Sequence, residues 1–166
     1  MSHQCLDSPT DPVFFLTREH VEEGIAASRI NKRRRIMLPI QRSEAAPVQR
    51  LLNIMQPGSY VQPHRHPRPQ AIELAHVLQG AMRVWIFDDT GNVLQTRCCT
   101  AGSTESLVDL EPDIWHSFAA LEPDTVILEI KGGPYDKSRD KIFAPWAPVE
   151  TESEATAYLK ALLEKS

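Results

Sequence analysis

The stretch VQPHRHPRPQ, residues 61–70, places two histidines one residue apart among prolines. Proline is disfavoured inside a helix and tolerated at the ends and edges of strands, so we expect this stretch to be extended. In an extended strand His64 and His66 lie on the same face, and Arg65 lies on the other. Two imidazoles roughly 6–7 Å apart can bind one metal ion, although a solvated loop is the alternative for this pair taken alone.

Short segments rich in β-branched, aromatic and aliphatic residues surround this stretch, and turn residues separate them. These segments are residues 35–40, 48–55, 72–79, 82–88, 93–99, 106–110, 115–121 and 125–131. Strands that recur without helices between them indicate a β-sandwich or β-barrel. The sequence DDTGN at 88–92 is typical of a hairpin turn between two adjacent strands.

Helical patterns flank the β region. Thr17 is suited to cap a helix that continues to about Ser28, after a tail over residues 1–12 that we expect to be disordered or loosely docked. Residues 151–166 predict a second helix, with Thr151 or Ser153 as its cap. The apolar face of this second helix is expected to comprise Ala157, Leu159, Leu162 and Leu163.

The chain is therefore divided into three parts. Residues 1–33 form an N-terminal tail and helix, residues 34–148 a β-barrel domain that ends in an irregular proline-rich segment, and residues 149–166 a C-terminal helix. A length of 166 residues suits one domain with a proper core.

Composition and charge exclude several classes of function. The net charge of −4 gives no basic footprint for nucleic acid, and no apolar run is long enough to cross a membrane. The N-terminus lacks the pattern of a secretory signal. Cys5, Cys98 and Cys99 form no CxxC pair, so we interpret them as reduced thiols in a cytoplasmic protein. The basic run NKRRR at 31–35 is either a solvated turn or a site for an anionic ligand or partner.

Four potential metal ligands lie on three separate β segments. They are the pair His64 and His66, the carboxylate Glu73, and His116 at the start of an apolar strand. A β-barrel brings strands that are distant in sequence side by side, so these groups can meet in its interior. Three imidazoles and one carboxylate suit a divalent transition metal such as Zn, Fe, Mn, Ni or Co, and they leave positions open for water or substrate.

This pattern resembles the first motif of the cupin superfamily, which here runs from Gly58 through the HRH triplet and Glu73 to Gly80. The segments PVQRLLNIMQPGSYVQPHRHP, FDDTGNV, WHSFAALEPDTVILEIKGGPYD and FAPWAP are similar to those of the WbuC-type cupins, metal-binding proteins often tied to bacterial surface-polysaccharide biosynthesis. The resemblance covers about residues 34–148. It implies a mainly β, double-stranded β-helix or jelly-roll barrel.

The resemblance also implies a metal inside the barrel at His64, His66, Glu73 and His116, but the spacing departs from the general pattern. That pattern leaves three or four residues between the second histidine and the glutamate, whereas six lie between His66 and Glu73. The alternative for Glu73 is a carboxylate held off the metal, with water in its place. In the second motif only His116 matches; the other conserved places hold Glu105, Glu111, Asp113 and Ala120.

Candidate substrate-facing residues come from the strand TVILEIK, residues 125–131. Thr125, Ile127, Glu129 and Lys131 share one face, which is either solvated or lines the cavity beside the metal. In the second case Glu129 is the candidate catalytic residue, as a general base or by orienting a metal-bound water. Arg50, Tyr60 and Tyr135 are weaker candidates for holding an anionic or sugar-like ligand.

Three functions follow from this reading. The first is an enzyme that uses one divalent transition metal ion to act on a small polar or sugar-like molecule. The second is a non-catalytic module that senses or binds a small ligand, and the third is an Fe(II) dioxygenase. Because related cupins are commonly dimers, we also expect a homodimer, with RRRIMLPI at 33–40 as a contributing edge strand.

Overall fold

This computed structural model describes residues 4–165 of the chain. Ten strands and two helices lie within these residues. The helices are α1 (Arg18–Ile30) and α2 (Glu154–Glu164). The strands are β1 (Arg35–Pro39), β2 (Val48–Met55), β3 (His64–Arg65), β4 (Glu73–Gln79), β5 (Ala81–Phe87), β6 (Val93–Thr100), β7 (Leu107–Leu110), β8 (His116–Ala120), β9 (Thr125–Gly132) and β10 (Ile142–Phe143). The first residues of the predicted tail, 1–3, and the last residue of the predicted second helix, 166, lie outside the described residues.

The strands form two five-stranded antiparallel sheets. Their orders are β1-β2-β9-β4-β7 and β10-β3-β8-β5-β6. Neighbours such as β2 and β9 are far apart in sequence, which is the connectivity of a jelly roll rather than of a simple meander. The predicted mainly β cupin fold with a helix at each end is confirmed.

The space between the sheets is apolar at one end and charged at the other. Alternate residues of a strand face inward, so β4 contributes Val77 and Ala75 to the core and then Glu73. Along β9 the inward positions likewise change from Ile127 in the core to Glu129. At the polar end, charged side chains from both β4 and β9 therefore point into the space between the sheets and can lie close together.

Each helix covers the outer face of one sheet. Helix α1 packs on β1 and β2, and it approaches so closely that a Cβ at Gly24 would overlap with Ile54 Cδ1. Helix α2 places Leu159 and Leu162 in a cluster with Trp85 on the outer face of β5. These contacts bury both faces of the central strands, which explains why β5 is apolar almost throughout.

The second helix differs in detail from the expectation. It begins at Glu154, after Ser153, which is one of the two predicted caps, and its buried side chains are Ala155, Leu159 and Leu162. The assignment of Ala157 to the apolar face was wrong, because Ala157 is exposed. Positions 155, 159 and 162 follow the helical spacing of four and three residues, which leaves position 157 on the solvent side.

Two segments expected to be irregular are paired with strands. Residue Cys5 forms a parallel bridge with Met37 of β1, and the Leu6 amide donates to the Met37 carbonyl at 2.8 Å. Within the proline-rich segment, β10 pairs with β3. The N-terminal tail thus covers part of the free edge of β1.

The basic run at 31–35 binds within the chain. Arg33 Nε donates to Glu150 Oε1 at 2.7 Å, and Arg35 Nη2 donates to Glu150 Oε2 at 2.8 Å. Arg35 is buried, so this carboxylate compensates a desolvated guanidinium and fixes the segment before α2 against β1. The solvated turn proposed for this run is therefore an incomplete description.

Candidate metal centre

Four side chains from both sheets converge at the polar end of the interior. His64 of β3 is the direct cross-strand partner of His116 of β8, and His66 lies two residues along from His64 on the same face. Glu73, the first residue of β4, reaches the group from the opposite sheet. The structure thus brings together all four residues that the sequence predicts as ligands.

The geometry of the group is compact. One ligand atom from each residue can be chosen so that all four lie within 4.8 Å of one another. Glu73 Oε2 lies 2.7 Å from His66 Nε2 and 3.5 Å from His116 Nε2. Ligand atoms that share one transition metal ion at about 2.1 Å lie about 3–4 Å apart, so the spacing fits a single ion.

Backbone carbonyls orient all three imidazoles. The Nδ1 atoms of His64, His66 and His116 lie 2.9, 2.6 and 2.8 Å from the carbonyl oxygens of Gln62, Asp140 and Ile114, respectively. A carbonyl oxygen can only accept, so each Nδ1 carries a proton and donates it. In a neutral ring the lone pair then lies on Nε2, the arrangement that metal-binding histidines use.

The centre contains acceptors that lack donors. His66 Nε2, His116 Nε2 and Glu73 Oε2 are buried and have no partner with hydrogen-bond geometry among residues 4–165, although the shortest separation is 2.7 Å. Buried acceptors without partners are strongly unfavourable. A shared proton or a cation must lie among these acceptors. Three imidazoles and one carboxylate are a ligand set that fits a divalent transition metal ion.

Burial determines the charge state of the centre. His64, His66, Glu73 and His116 are 2%, 3%, 5% and 2% exposed. Burial, with the positive charge of Lys141, lowers the pKa of His64 well below its ordinary value. Burial raises the pKa of Glu73, but hydrogen bonds and attraction from His116 and His66, when these rings also carry a proton on Nε2, outweigh it and hold that pKa well below its ordinary value. A neutral imidazole and an ionised carboxylate are the forms that bind metal.

Glu129 lies on the inward face of β9, one step away from the centre. It is opposite Ala75 of β4, while Glu73 is opposite Lys131, so the two carboxylates are diagonal neighbours. Asn53 Nδ2 donates to Glu129 Oε1 at 2.8 Å. Burial and then repulsion from Glu73 raise the pKa of Glu129 to about 7, against the opposing effect of Asn53.

The departures from the motif have local structural explanations. The six residues between His66 and Glu73 form a loop that crosses from one sheet to the other, and Glu73 still reaches the imidazoles. Asp113 occupies a place where the general motif has glycine, and its φ of 68° is in the left-handed region. Asp113 tolerates this conformation, and its amide donates to the His66 carbonyl at 2.8 Å.

The weaker ligand candidates lie in other surroundings. Arg50 is exposed on β2, and Tyr60 is buried in the cluster beneath α2, where its hydroxyl donates to the Pro148 carbonyl at 3.0 Å. Tyr135 is half-buried, and its amide donates to the Glu44 carbonyl at 2.8 Å. Lys131 lies beside the centre, on the face of β9 that the sequence predicts as a possible cavity lining, whereas no sequence pattern pointed to its neighbours Asp140 and Lys141.

The fold is that of a cupin, and it brings together four side chains that could hold one divalent transition metal ion. The chain belongs to the family described as Domain of unknown function (DUF6016), whose family model matches residues 16–99. A search of the curated proteins found no match. Within residues 4–165, neither helix is long and apolar enough to cross a membrane.

Solved structures of oxalate decarboxylases are similar to this chain over part of their length. Oxalate decarboxylase from Lactobacillus farciminis, in a formate complex, aligns with a TM-score of 0.50 and 18% identity over 66% of this chain and 31% of that chain. Oxalate decarboxylase from Bacillus subtilis aligns with a TM-score of 0.48 and 21% identity over 60% of this chain and 24% of that chain. The aligned part is thus less than a third of either decarboxylase, and the likeness concerns the jelly roll alone.

Proposed function

We propose that the protein is a metal-dependent enzyme in which His64, His66, Glu73 and His116 hold one divalent transition metal ion. The observation that carries this proposal is the set of buried acceptor atoms without donors, with every Nδ1 bound to a backbone carbonyl. A bound ion would polarise a carbonyl or hydroxyl of the substrate, or a water molecule.

Glu129 is the proposed general base. In the protein without metal, a pKa of about 7 means that the protonated and ionised forms of Glu129 are both present near neutral pH, so the carboxyl group can accept a proton and return it. The hydrogen bond from Asn53 fixes Oε1 and leaves Oε2 for the proton transfer. The position of Glu129 beside Glu73, rather than within the ligand group, supports this division of roles.

The proposed substrate is a small polar, sugar-like molecule in surface-polysaccharide metabolism. The resemblance of residues 34–148 to the WbuC-type cupins supports this class. A charged and polar interior end, which includes Asn53, Glu129 and Lys131, also suits a ligand rich in hydroxyl groups.

The test of the metal centre is elemental analysis of protein purified without added metal. His64→Ala combined with His66→Ala removes two neighbouring imidazoles, and we expect a folded protein with almost no bound metal. His76→Ala, on β4, is the matched control and should keep the wild-type stoichiometry. Unchanged metal content in the double variant would overturn the proposal.

We also propose a homodimer formed through a sheet edge. The edge of β1 is partly covered by residues 4–6, so β6, an outer strand with Leu94 66% exposed, is the better candidate. Light scattering at micromolar concentration should give twice the monomer mass, and Leu94→Lys should give the monomer mass. A wild-type monomer would contradict the proposal.

A further inference from the structure

A cavity of about 370 Å³ opens next to the metal centre, between the loop after β3 and the segment that leads into β10. Three cationic side chains, Arg68, Arg139 and Lys141, line it together with Ile142 and two prolines. This volume is at the lower end of the range for small-molecule sites. The cavity is near the centre because Asp140, inside its wall segment, provides the carbonyl that binds His66 Nδ1.

The positive charge of this cavity is only partly compensated. Asp140 is 3% exposed and forms its close ion pair with Lys131, whereas Lys141 Nζ lies 3.8 Å from Asp140 Oδ2. The other acid of the segment, Asp136, accepts hydrogen bonds from Ser138 and lies near Arg68 and Arg139. The two carboxylates of this segment therefore face four cations, and the surplus at the cavity is positive; Glu73 and Glu129, which also attract Lys141, belong to the metal centre.

Arg68 provides an independent indication of a ligand. It is 8% exposed, and its Nη2 donates to the Gly132 carbonyl at 3.1 Å. Its Nε is buried and has no hydrogen-bond partner within residues 4–165. A guanidinium donates from a planar fork that matches carboxylate and phosphate oxygens, so an anion is the ligand that completes its bonding.

Lys141 connects the cavity to the metal centre. Its side chain is 33% exposed and lines the cavity. The carboxylates of Glu73 and Glu129 both attract its positive charge. The positive charge of Lys141 also lowers the pKa of the metal ligand His64. A ligand anion bound at Lys141 would therefore be held at the edge of the ligand group, with the rest of the molecule directed at the centre or at solvent.

We propose that this cavity is the subsite for an anionic group, phosphate or carboxylate, on a substrate of monosaccharide size, held by Arg68, Arg139 and Lys141. This inference rests on the proposed function and names the substrate class more closely. The long connection between His66 and Glu73 carries Pro67, Arg68 and Pro69, so the residues that lengthen the motif also build one wall of the subsite.

The test is calorimetric titration of the metal-loaded protein with glucose 1-phosphate, glucuronate, inorganic phosphate and glucose. We expect the anionic probes to bind with one site per chain, and glucose to bind at least about tenfold more weakly, because the charged hydrogen bonds are missing. The comparison of glucose 1-phosphate with glucuronate identifies which anionic group the subsite takes.

Arg139→Gln is the diagnostic variant because Arg139 is exposed and can be replaced without loss of core packing. We expect it to weaken anion binding about tenfold. Lys137→Gln, two residues away and outside the lining, is the matched control and should bind as the wild type does. Equal affinity for glucose and its charged derivatives, no anion binding, or wild-type affinity in Arg139→Gln would each overturn the inference.

Titration of the chelator-treated protein separates this inference from the proposed function. Anion binding that persists in protein which never takes up metal would leave the subsite standing and overturn the metal enzyme. Stoichiometric metal together with no anion binding would do the reverse. Elemental analysis of every variant shows that a change in affinity does not come from lost metal.

Discussion

Glu129 is an inward-facing acid whose surroundings favour its protonated form. Burial has the largest effect on its pKa, followed by repulsion from Glu73, and the pKa of about 7 lies above the ordinary value of 4.5. In the unfolded chain this carboxyl ionises near its ordinary pKa, whereas in the folded chain it keeps its proton up to about pH 7. The folded state therefore loses stability as pH rises between these two values and loses no more above them.

Glu129→Gln should remove this loss of stability at rising pH, because glutamine does not ionise. In chelator-treated protein we expect the variant to gain stability over the wild type between pH 5 and pH 8, by on the order of 1–2 kcal/mol. Urea unfolding at both pH values measures the difference. Glu23→Gln, an exposed carboxylate on α1, should show no such gain, and a gain equal to that control would show that Glu129 is not protonated in the fold.

Glu73 is the ligand that the sequence left in most doubt. Glu73→Gln keeps the size of the side chain and removes the charge, so we expect metal affinity to fall at least about tenfold in competition with a chromophoric chelator. Glu105→Gln, on the exposed loop after β6, is the control. Unchanged affinity in Glu73→Gln would mean that water, not this carboxylate, completes the metal's ligands.

The residues of the site differ in how far the sequence could predict them. His64 and His66 follow from strand periodicity, and His116 follows from a turn that precedes an apolar strand. The carbonyl that binds His66 belongs to Asp140, 74 residues away, and no side-chain pattern marks a backbone carbonyl. The surroundings of Arg68 could not be predicted from the sequence either, because they depend on where two irregular segments of the chain meet.

Elements were predictable where a regular pattern is long enough. The expected strand at 48–55 is β2 with the same limits, because five of its eight residues are apolar and a turn follows it at residues 56–58. Strands β3 and β10 have two residues each, which is too short for any periodicity. In α2, three buried positions set the face, and alanine is compatible with both sides of a helix, so its type did not distinguish position 155 from 157.

The orientation of α2 gives a matched pair of substitutions. Ala155 is 4% exposed beneath the helix and Ala157 is exposed, so the same change has different consequences at the two positions. Ala155→Gln should destabilise the protein by about 1–3 kcal/mol, because the longer side chain has no space. Ala157→Gln should change stability by less than about 0.5 kcal/mol. Urea unfolding decides, and equal effects would contradict the packing described for α2.

At the scale of the whole molecule, metal binding and stability are linked through protons. The ligating nitrogen of each histidine must be deprotonated, so protons compete with the ion. The pKa of His64 is lowered in the fold; for a cationic acid this means that stability is present above the unfolded pKa and is lost as pH falls. Glu73, whose pKa is also lowered, adds to the loss only at more acidic pH.

Thermal unfolding of metal-loaded and chelator-treated protein should therefore differ in a pH-dependent way. We expect the stabilising gap to be wide at pH 8 and to close towards pH 5, because three imidazoles lose the ion together below about pH 6.5. The variant with His64→Ala and His66→Ala should show no gap at either pH. A wild-type gap of constant size across this range would mean that the ion binds elsewhere.

Asp140 belongs to both parts of the functional end of the barrel. Its carbonyl binds the Nδ1 proton of His66, and its carboxylate lies between Lys131 and Lys141 at the cavity. An anion drawn to Lys141 and an ion bound by His66 therefore act on the same residue from two sides. Thermodynamic reciprocity then requires the two effects to be equal. If the bound anion changes the affinity for metal by a certain factor, the bound metal changes the affinity for the anion by the same factor.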